Sequence, residues 1–256
     1  MKHKLVLLAG EDPSTAILFH ALSRDFDLTR VILEAGVPRS TFIRRRIKKL
    51  GLLKVCGQIL FQALAVPYLR RRSRQRMAEI GRRFDFHTAA IPAERITSVG
   101  SVNDPATIAL LQSIQPDLVI VNGTRIIAKN VLEAIEAPFI NLHAGITPLY
   151  RGVHGAYWAL VEGERAACGV TLHLVDPGID TGAVLGQVLI EPTPADSFVT
   201  YPLLQLGAGI PLLQRAIRDL LAGERHVQPH PALDSRLRTH PTVWEYLWYR
   251  VRFKIR

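Results

Sequence analysis

Lys4-Leu5-Val6-Leu7-Leu8-Ala9, followed by Ser14 to Leu22 and then by Leu28 to Leu33, decides the fold. The first piece is an unbroken apolar run of strand length. The second is a helical stretch that Ser14 is placed to cap, and the third is another strand. A strand, a helix and a strand in that order predict a parallel, helix-covered sheet. Asp117-Leu118-Val119-Ile120-Val121 is apolar after its first residue and reads as a central strand buried on both faces. Ala137 to Ile140, Gly169 to Val175 and Val184 to Ile190 extend the sheet. Helices are predicted over Asp104 to Ile114, Lys129 to Ile135, Gly155 to Glu162 and Thr200 to Ala222, the last stopped by Gly223.

The turn after the first strand, Gly10-Glu11-Asp12-Pro13-Ser14, carries one glycine and two acids. It lacks the Gly-x-Gly-x-x-Gly pattern, and its acids repel a phosphate. At 256 residues and 48% hydrophobic content the chain can bury a core as one domain with an appendage. Cys56 and Cys168 have no paired spacing, which argues against a disulfide framework or a zinc site and suits a reducing cytoplasm. Met1 to Lys4 precedes too short an apolar run for a secretory signal.

The net charge is +10, and it is unevenly placed. From Arg39 to Arg83 there are 14 Arg and Lys against one acid, Glu79. The apolar middle of this insertion, Leu52 to Leu69, is interrupted by Lys54, Gln58 and Gln62. It is expected to form one or two amphipathic helices rather than a membrane span. The C-terminal stretch from Val243 mixes Trp244, Tyr246, Trp248 and Tyr249 with Arg250, Arg252, Lys254 and Arg256.

Asn141-Leu142-His143 closes one apolar run, and Asp180 lies in the turn Asp176-Pro177-Gly178-Ile179-Asp180-Thr181-Gly182 that follows another. Residues two apart on a strand share a face, so the amide and the imidazole emerge together. At the ends of parallel strands, an amide that holds an oxyanion, an imidazole that takes a proton, and a carboxylate that orients and charge-stabilises it can carry acyl transfer. His143, His154 and His173 match no common zinc spacing, so no metal is expected.

The segment from Asp117 to Ile190 resembles the folate-dependent formyltransferases, which include the glycinamide ribonucleotide, methionyl-tRNA and sugar N-formyltransferases. The resemblance rests on Asn141-Leu142-His143, the Pro148-containing loop to Arg151-Gly152, and Ile179-Asp180-Thr181-Gly182, in that order. It implies an α/β, Rossmann-like fold: a mostly parallel sheet with helices on both faces, plus a basic helical insertion at about 39–83 and a short C-terminal extension. A catalytic body over 1–205 and a C-terminal helix with a basic-aromatic tail over 206–256 follow. The resemblance also implies Asn141, His143 and Asp180 as catalytic, with Asp176 shaping the turn. Arg125, Ile126, Ile127, Asp176 and Gly178 would hold the cofactor, 10-formyltetrahydrofolate. Arg151 and His173 are substrate candidates, with a loop arginine and a core histidine as the plain alternatives.

The implied activity is formyl transfer to a primary amine, with a nucleotide-linked amino sugar first among acceptors. Glycinamide ribonucleotide, methionyl-tRNA, hydrolysis of the formyl-folate, and folate binding without turnover are the alternatives. The partner expected is a small amine. The basic insertion admits a solvated face, an oligomer contact, an anionic membrane surface at the inner face of the membrane, or, less favoured, nucleic acid.

Overall fold

The computed structural model describes residues 3–229 and 234–255. Met1, Lys2 and Arg256, used above in reading the two ends of the chain, lie outside the described residues.

Among the described residues nine strands and ten α-helices follow one another as β1 (Leu5–Gly10), α1 (Pro13–Leu22), β2 (Leu28–Glu34), α2 (Arg39–Leu50), α3 (Leu52–Leu60), α4 (Val66–Arg72), α5 (Arg74–Arg83), β3 (Ile96–Val99), α6 (Pro105–Ile114), β4 (Leu118–Asn122), α7 (Lys129–Glu133), β5 (Phe139–His143), β6 (Tyr150–Gly152), α8 (Gly155–Val161), β7 (Gly169–Leu174), β8 (Val184–Leu189), α9 (Tyr201–Leu221), β9 (Arg236–Arg238) and α10 (Val243–Phe253). Seven strands form one sheet in the order β3-β2-β1-β4-β5-β7-β8, and β6 pairs with β9 separately. The expected α/β, Rossmann-like architecture is present. Leu5, Leu7 and Ala9 of β1 face a core built with α1 and α9. Val6 and Leu8 face the opposite core, which takes in Leu111 of α6 and Val131 of α7. The period of two thus buries both faces of the central strands.

The five strands β3, β2, β1, β4 and β5 run parallel to one another, but β7 is antiparallel to β5 and to β8. This corrects the placement of all three catalytic candidates at the ends of parallel strands. Asn141 sits directly opposite His173 in the register, and the chain after β7 must fold back to bring Asp180 beside His143. Helix α1 is capped by Asp12, which accepts from the Ser14 amide, and not by Ser14. The freed Ser14 hydroxyl accepts from Asn122 Nδ2 at 3.0 Å.

The insertion holds four helices, and the expected one or two over Leu52 to Leu69 are α3 and α4. Helices α3 and α4 are joined by a five-residue π-helical stretch, Phe61–Ala65, into one run from Leu52 to Arg72. By length and composition this run could cross a bilayer. One side of it is instead locked to the body. Phe61, Val66 and Leu69 share a core with Tyr157, Phe198 and Tyr246. Gln58 is buried and donates to the His240 carbonyl at 2.6 Å, so the polar residue that interrupts the apolar pattern is an anchor. The division at 205 and 206 falls inside α9, whose Ile210, Leu213 and Ile217 pack in the main core. Helix α10 opens with a capping box of Thr242 and Glu245.

Candidate active site

Strand β5 delivers Asn141 and His143 side by side, as the two-residue period requires. His143 is 6% exposed. Its Nε2 lies 2.9 Å from the Tyr150 carbonyl, which can only accept, so that nitrogen carries the hydrogen. The lone pair of the neutral ring is therefore on Nδ1, and Nδ1 lies 3.4 Å from Asp180 Oδ2. Asp180 thus meets the basic nitrogen itself. The Tyr150 carbonyl fixes the ring from one side, and the Asp180 carboxylate faces it from the other, as the expected pairing of the two requires. Gly145 makes this packing feasible: a Cβ there would lie 2.3 Å from the Tyr150 oxygen and 2.7 Å from His143 Nε2.

Asp180 occupies the left-handed region with φ 52. Aspartate tolerates this conformation better than most residues, and such outliers cluster at functional sites. Strand β6 holds it there. The Gly152 amide donates to Asp180 Oδ2 at 2.9 Å, and Arg151 Nη1 donates to the Ile179 carbonyl at 3.0 Å. Arg151 therefore braces the loop that carries Asp180. His173, fixed by its Nδ1 donating to the Leu174 carbonyl at 2.7 Å, accepts from Asn141 Nδ2 at 3.1 Å through Nε2. That same nitrogen is 3.7 Å from Asp180 Oδ1. One Asn141 N–H is thereby engaged, and the other is available to an oxygen in the cavity.

Burial holds the His143 imidazole below the ordinary histidine range, with Asp180 and the Tyr150 carbonyl opposing it in part. Burial pushes the Asp180 carboxyl up, but His173, His143 and the Gly152 amide outweigh it and hold the group below the usual carboxylate range. At neutral pH the pair is a neutral base beside an anion.

Asn141, His143, His173 and Asp180 open onto a cavity of about 480 Å³. Arg125, Ile126, Ile127, Asp176 and Gly178 line the same cavity. Ile126 is 54% exposed and offers an apolar wall, while Ile127 is buried behind it. The Arg125 guanidinium is turned aside into an ion pair with Glu34 at 2.6 Å and donates to the Ala35 carbonyl. Asp176 accepts from the Gly178 amide and the Thr181 hydroxyl and so shapes the turn.

A second cavity, of about 660 Å³ and mainly apolar, adjoins the first at Asn122, Leu142 and Ala144. Asp12, Arg70, His154 and His240 are the ionisable residues of its lining. It lies outside the carboxyl ends of β1 and β4, where the strand order reverses and open α/β sheets bind ligands. Glu34, Tyr150 and Gly152 were not read as site residues from the sequence. Two act through backbone atoms, and the third is a strand-end carboxylate recognisable only by its partners. The turn from Asp12 to Ser14, and Asn122 where β4 ends in Asn-Gly, are the signals in the sequence for the second cavity.

His154 and His240 face each other at 3.1 Å across this cavity wall. Burial lowers His154 to about 3, helped by His240, and lowers His240 to about 4, helped by Arg46. Both folded values lie below the unfolded value of 6.5, so the unfolded chain binds more protons. The stability they confer is complete above pH 6.5 and drains as pH falls towards 4 and then 3. Melting temperature followed against pH should drop over this window, and His240→Asn should flatten the drop. An unchanged slope in the variant would contradict the assignment.

A family model described as formyl transferase matches residues 68–202, just over half of the chain. The methionyl-tRNA formyltransferase of Syntrophus aciditrophicus is 36% identical over 136 residues, which cover 52% of this chain and 42% of that protein. That of Anaeromyxobacter is 37% identical over 123 residues, 48% of this chain and 39% of the other. The match thus spans less than half the length of these curated relatives. Among solved structures, a sugar N-formyltransferase from Shewanella superposes with a TM-score of 0.56 at 16% identity, over 92% of this chain and 76% of that one. Glycinamide ribonucleotide transformylase 1 from Symbiobacterium toebii gives 0.56 at 16% identity, over 90% and 95%. At such identities the likeness is one of fold.

Proposed function

The chain belongs to the formyl transferase family, and we propose that it transfers a formyl group from 10-formyltetrahydrofolate to the primary amine of an amino sugar on a phosphorylated carrier such as a nucleotide. The observation that carries the proposal is the meeting of Asn141, His143 and Asp180 in a cavity that a second cavity adjoins.

The 480 Å³ cavity fits the folate. Ile126 offers an apolar face to a flat ring, and the turn from Asp176 to Asp180 offers backbone groups to its polar edge. When bound, the folate supplies an acyl group on a nitrogen that can leave. Asn141 donates its remaining N–H to the oxygen that gains charge as an amine adds to a formyl carbon. His143 Nδ1 accepts the proton the amine sheds. Asp180 then faces an imidazolium and stabilises it. Arg151 and Gly152 keep Asp180 in place. His173 positions the Asn141 amide.

The 660 Å³ cavity is of small-ligand size and takes the acceptor. The Asp12 carboxylate attracts an amine, and the Arg70 guanidinium attracts a phosphate. A second reading, aminoacyl-tRNA as acceptor, is favoured by the names of the curated relatives and by the basic insertion.

The test is to supply 10-formyltetrahydrofolate with nucleotide-linked amino sugars, glycinamide ribonucleotide or charged methionyl-tRNA, and to follow folate release against formylated amine. The expected result is equimolar release with an amino sugar and none without an amine. Formate release without acceptor would replace transfer by hydrolysis. Turnover of charged tRNA alone would establish the second reading. Because His143 must be neutral to act, and burial lowers its pKa, the acid limb of kcat/KM should fall below the ordinary histidine value of 6.5. A limb at or above 6.5 would exclude His143 as the base.

A further inference from the structure

We infer that the outer face of α3, α4 and α10 is a docking surface for an anionic membrane. Along the run from Leu52 to Arg72 the inner side is buried, while Leu52, Leu53, Ile59, Leu60, Leu64 and Tyr68 remain between 43% and 76% exposed. Their spacing is that of one helical face, an apolar stripe about four turns long. Beside it α10 exposes a second stripe of Trp244, Leu247, Trp248 and Val251, between 43% and 82% exposed. The two helices are in close contact, for a Cβ on Gly57 would lie 2.3 Å from the Trp244 ring. The stripes therefore adjoin and form one apolar surface, the kind of feature that marks an interaction site.

The rim of this surface identifies its occupant. Exposed Lys54, Arg70, Arg71 and Arg72 lie along the first helical run, and exposed Arg252 and Lys254 lie at the end of the second. The segment from Arg39 to Arg83 carries fourteen cations against one acid. An apolar helix face bordered by Lys and Arg, with tryptophan at the boundary, is what binds an anionic lipid interface. A second copy of the chain would bring the same excess of positive charge against it. Nucleic acid would engage the cations but leave the apolar stripe in water. The run from Leu52 to Arg72 is apolar enough to cross a bilayer, but its inner side is held by the body, so it lies in the interface.

The same face adjoins the mouth of the larger cavity. Arg70 and Met77 line both that cavity and the depression bounded by Pro67, Arg71 and Arg74. On the reading of that cavity as the acceptor site, an amine carried on a membrane-bound phosphate would enter beside the bilayer with its phosphate at these arginines.

Flotation of the full chain with vesicles tests the docking surface without reference to turnover. Phosphatidylcholine vesicles and phosphatidylcholine mixed with phosphatidylglycerol are compared for the wild type and for Leu53→Glu/Leu64→Glu and Trp248→Glu/Val251→Glu. All four side chains are exposed, so thermal melts should be unchanged. The expected result is binding to the anionic vesicles, weakened by salt and reduced at least about tenfold in each double variant. Absence of binding at low salt would overturn the inference. So would binding that both apolar variants retain, or a wild-type dimer that these variants convert to monomer. Capture of a single-stranded RNA in preference to the vesicles would assign the cations to nucleic acid and overturn it as well. Formyl transfer to a soluble amine that persists in the variants would show that the activity stands apart from docking.

Discussion

Replacing His143 with alanine is expected to lower the rate of formyl transfer about 10²–10⁴-fold, the usual contribution of a positioned base. Burial keeps the imidazole neutral at working pH, and its basic nitrogen, unlike that of His173, is not taken up by the Asn141 amide. Its Nδ1 faces the cavity edge beside Asp180 at 3.4 Å, and its Nε2 is spent on the Tyr150 carbonyl. Removing the ring opens a space continuous with the 480 Å³ cavity. Added imidazole should therefore restore part of the lost rate in His143→Ala and leave the wild type unaffected. A variant that keeps wild-type turnover, with melting behaviour unaltered, would remove His143 from the reaction. A variant that loses activity only because it unfolds is recognised by its melt, and His143→Asn, smaller but still able to donate, then serves in its place.

The second large effect belongs to Asn141. Loss of one oxyanion donor costs about 10²–10³ in kcat. Asn141→Ala should show that loss with little change in folate affinity, because the amide acts on a charge that exists only during the reaction. Asn141→Asp should be worse, since it places an anion where negative charge develops. His173 accepts from the same amide at 3.1 Å, so His173→Ala should release the Asn141 side chain and lower kcat by a smaller factor. Equal losses in kcat for alanine and aspartate at position 141 would argue that the residue only shapes the strand end.

Much of this site could be read from the chain because its chemistry is concentrated in side chains at strand ends. The apolar runs of β1, β4 and β5 give their own boundaries, and the two-residue period alone sets Asn141 beside His143. Strand direction is different: a strand buried on both faces carries the same pattern whichever way it runs. The antiparallel sense of β7, and with it the pairing of Asn141 with His173, was therefore hidden. Backbone roles were hidden for a related reason. The Tyr150 carbonyl that orients His143, and the Gly152 amide that holds Asp180, belong to groups every residue possesses. Strand β6 is three residues long and exists through its pairing with β9, more than eighty positions away.

The insertion shows the complementary difficulty. Its helical period was legible, but a stripe of Leu and Ile does not say whether it packs inward or faces out. In the structure Gln58, the residue that breaks the apolar pattern, is buried and anchored, whereas Leu52 and Leu53 are left in the open. Helix propensity fixed the elements, and packing against Tyr157, Phe198 and Tyr246 chose the face.

The most direct test of the account is a crystal structure of the protein with 5-formyltetrahydrofolate, a stable isomer of the donor. The pteridine ring is expected against Ile126 and the Asp176 to Asp180 turn, with the folate's formyl-bearing edge within hydrogen-bonding reach of Asn141 and His143. A folate seated instead in the cavity between Asp12 and Arg70, or one whose reactive edge lies away from Asn141, would contradict it.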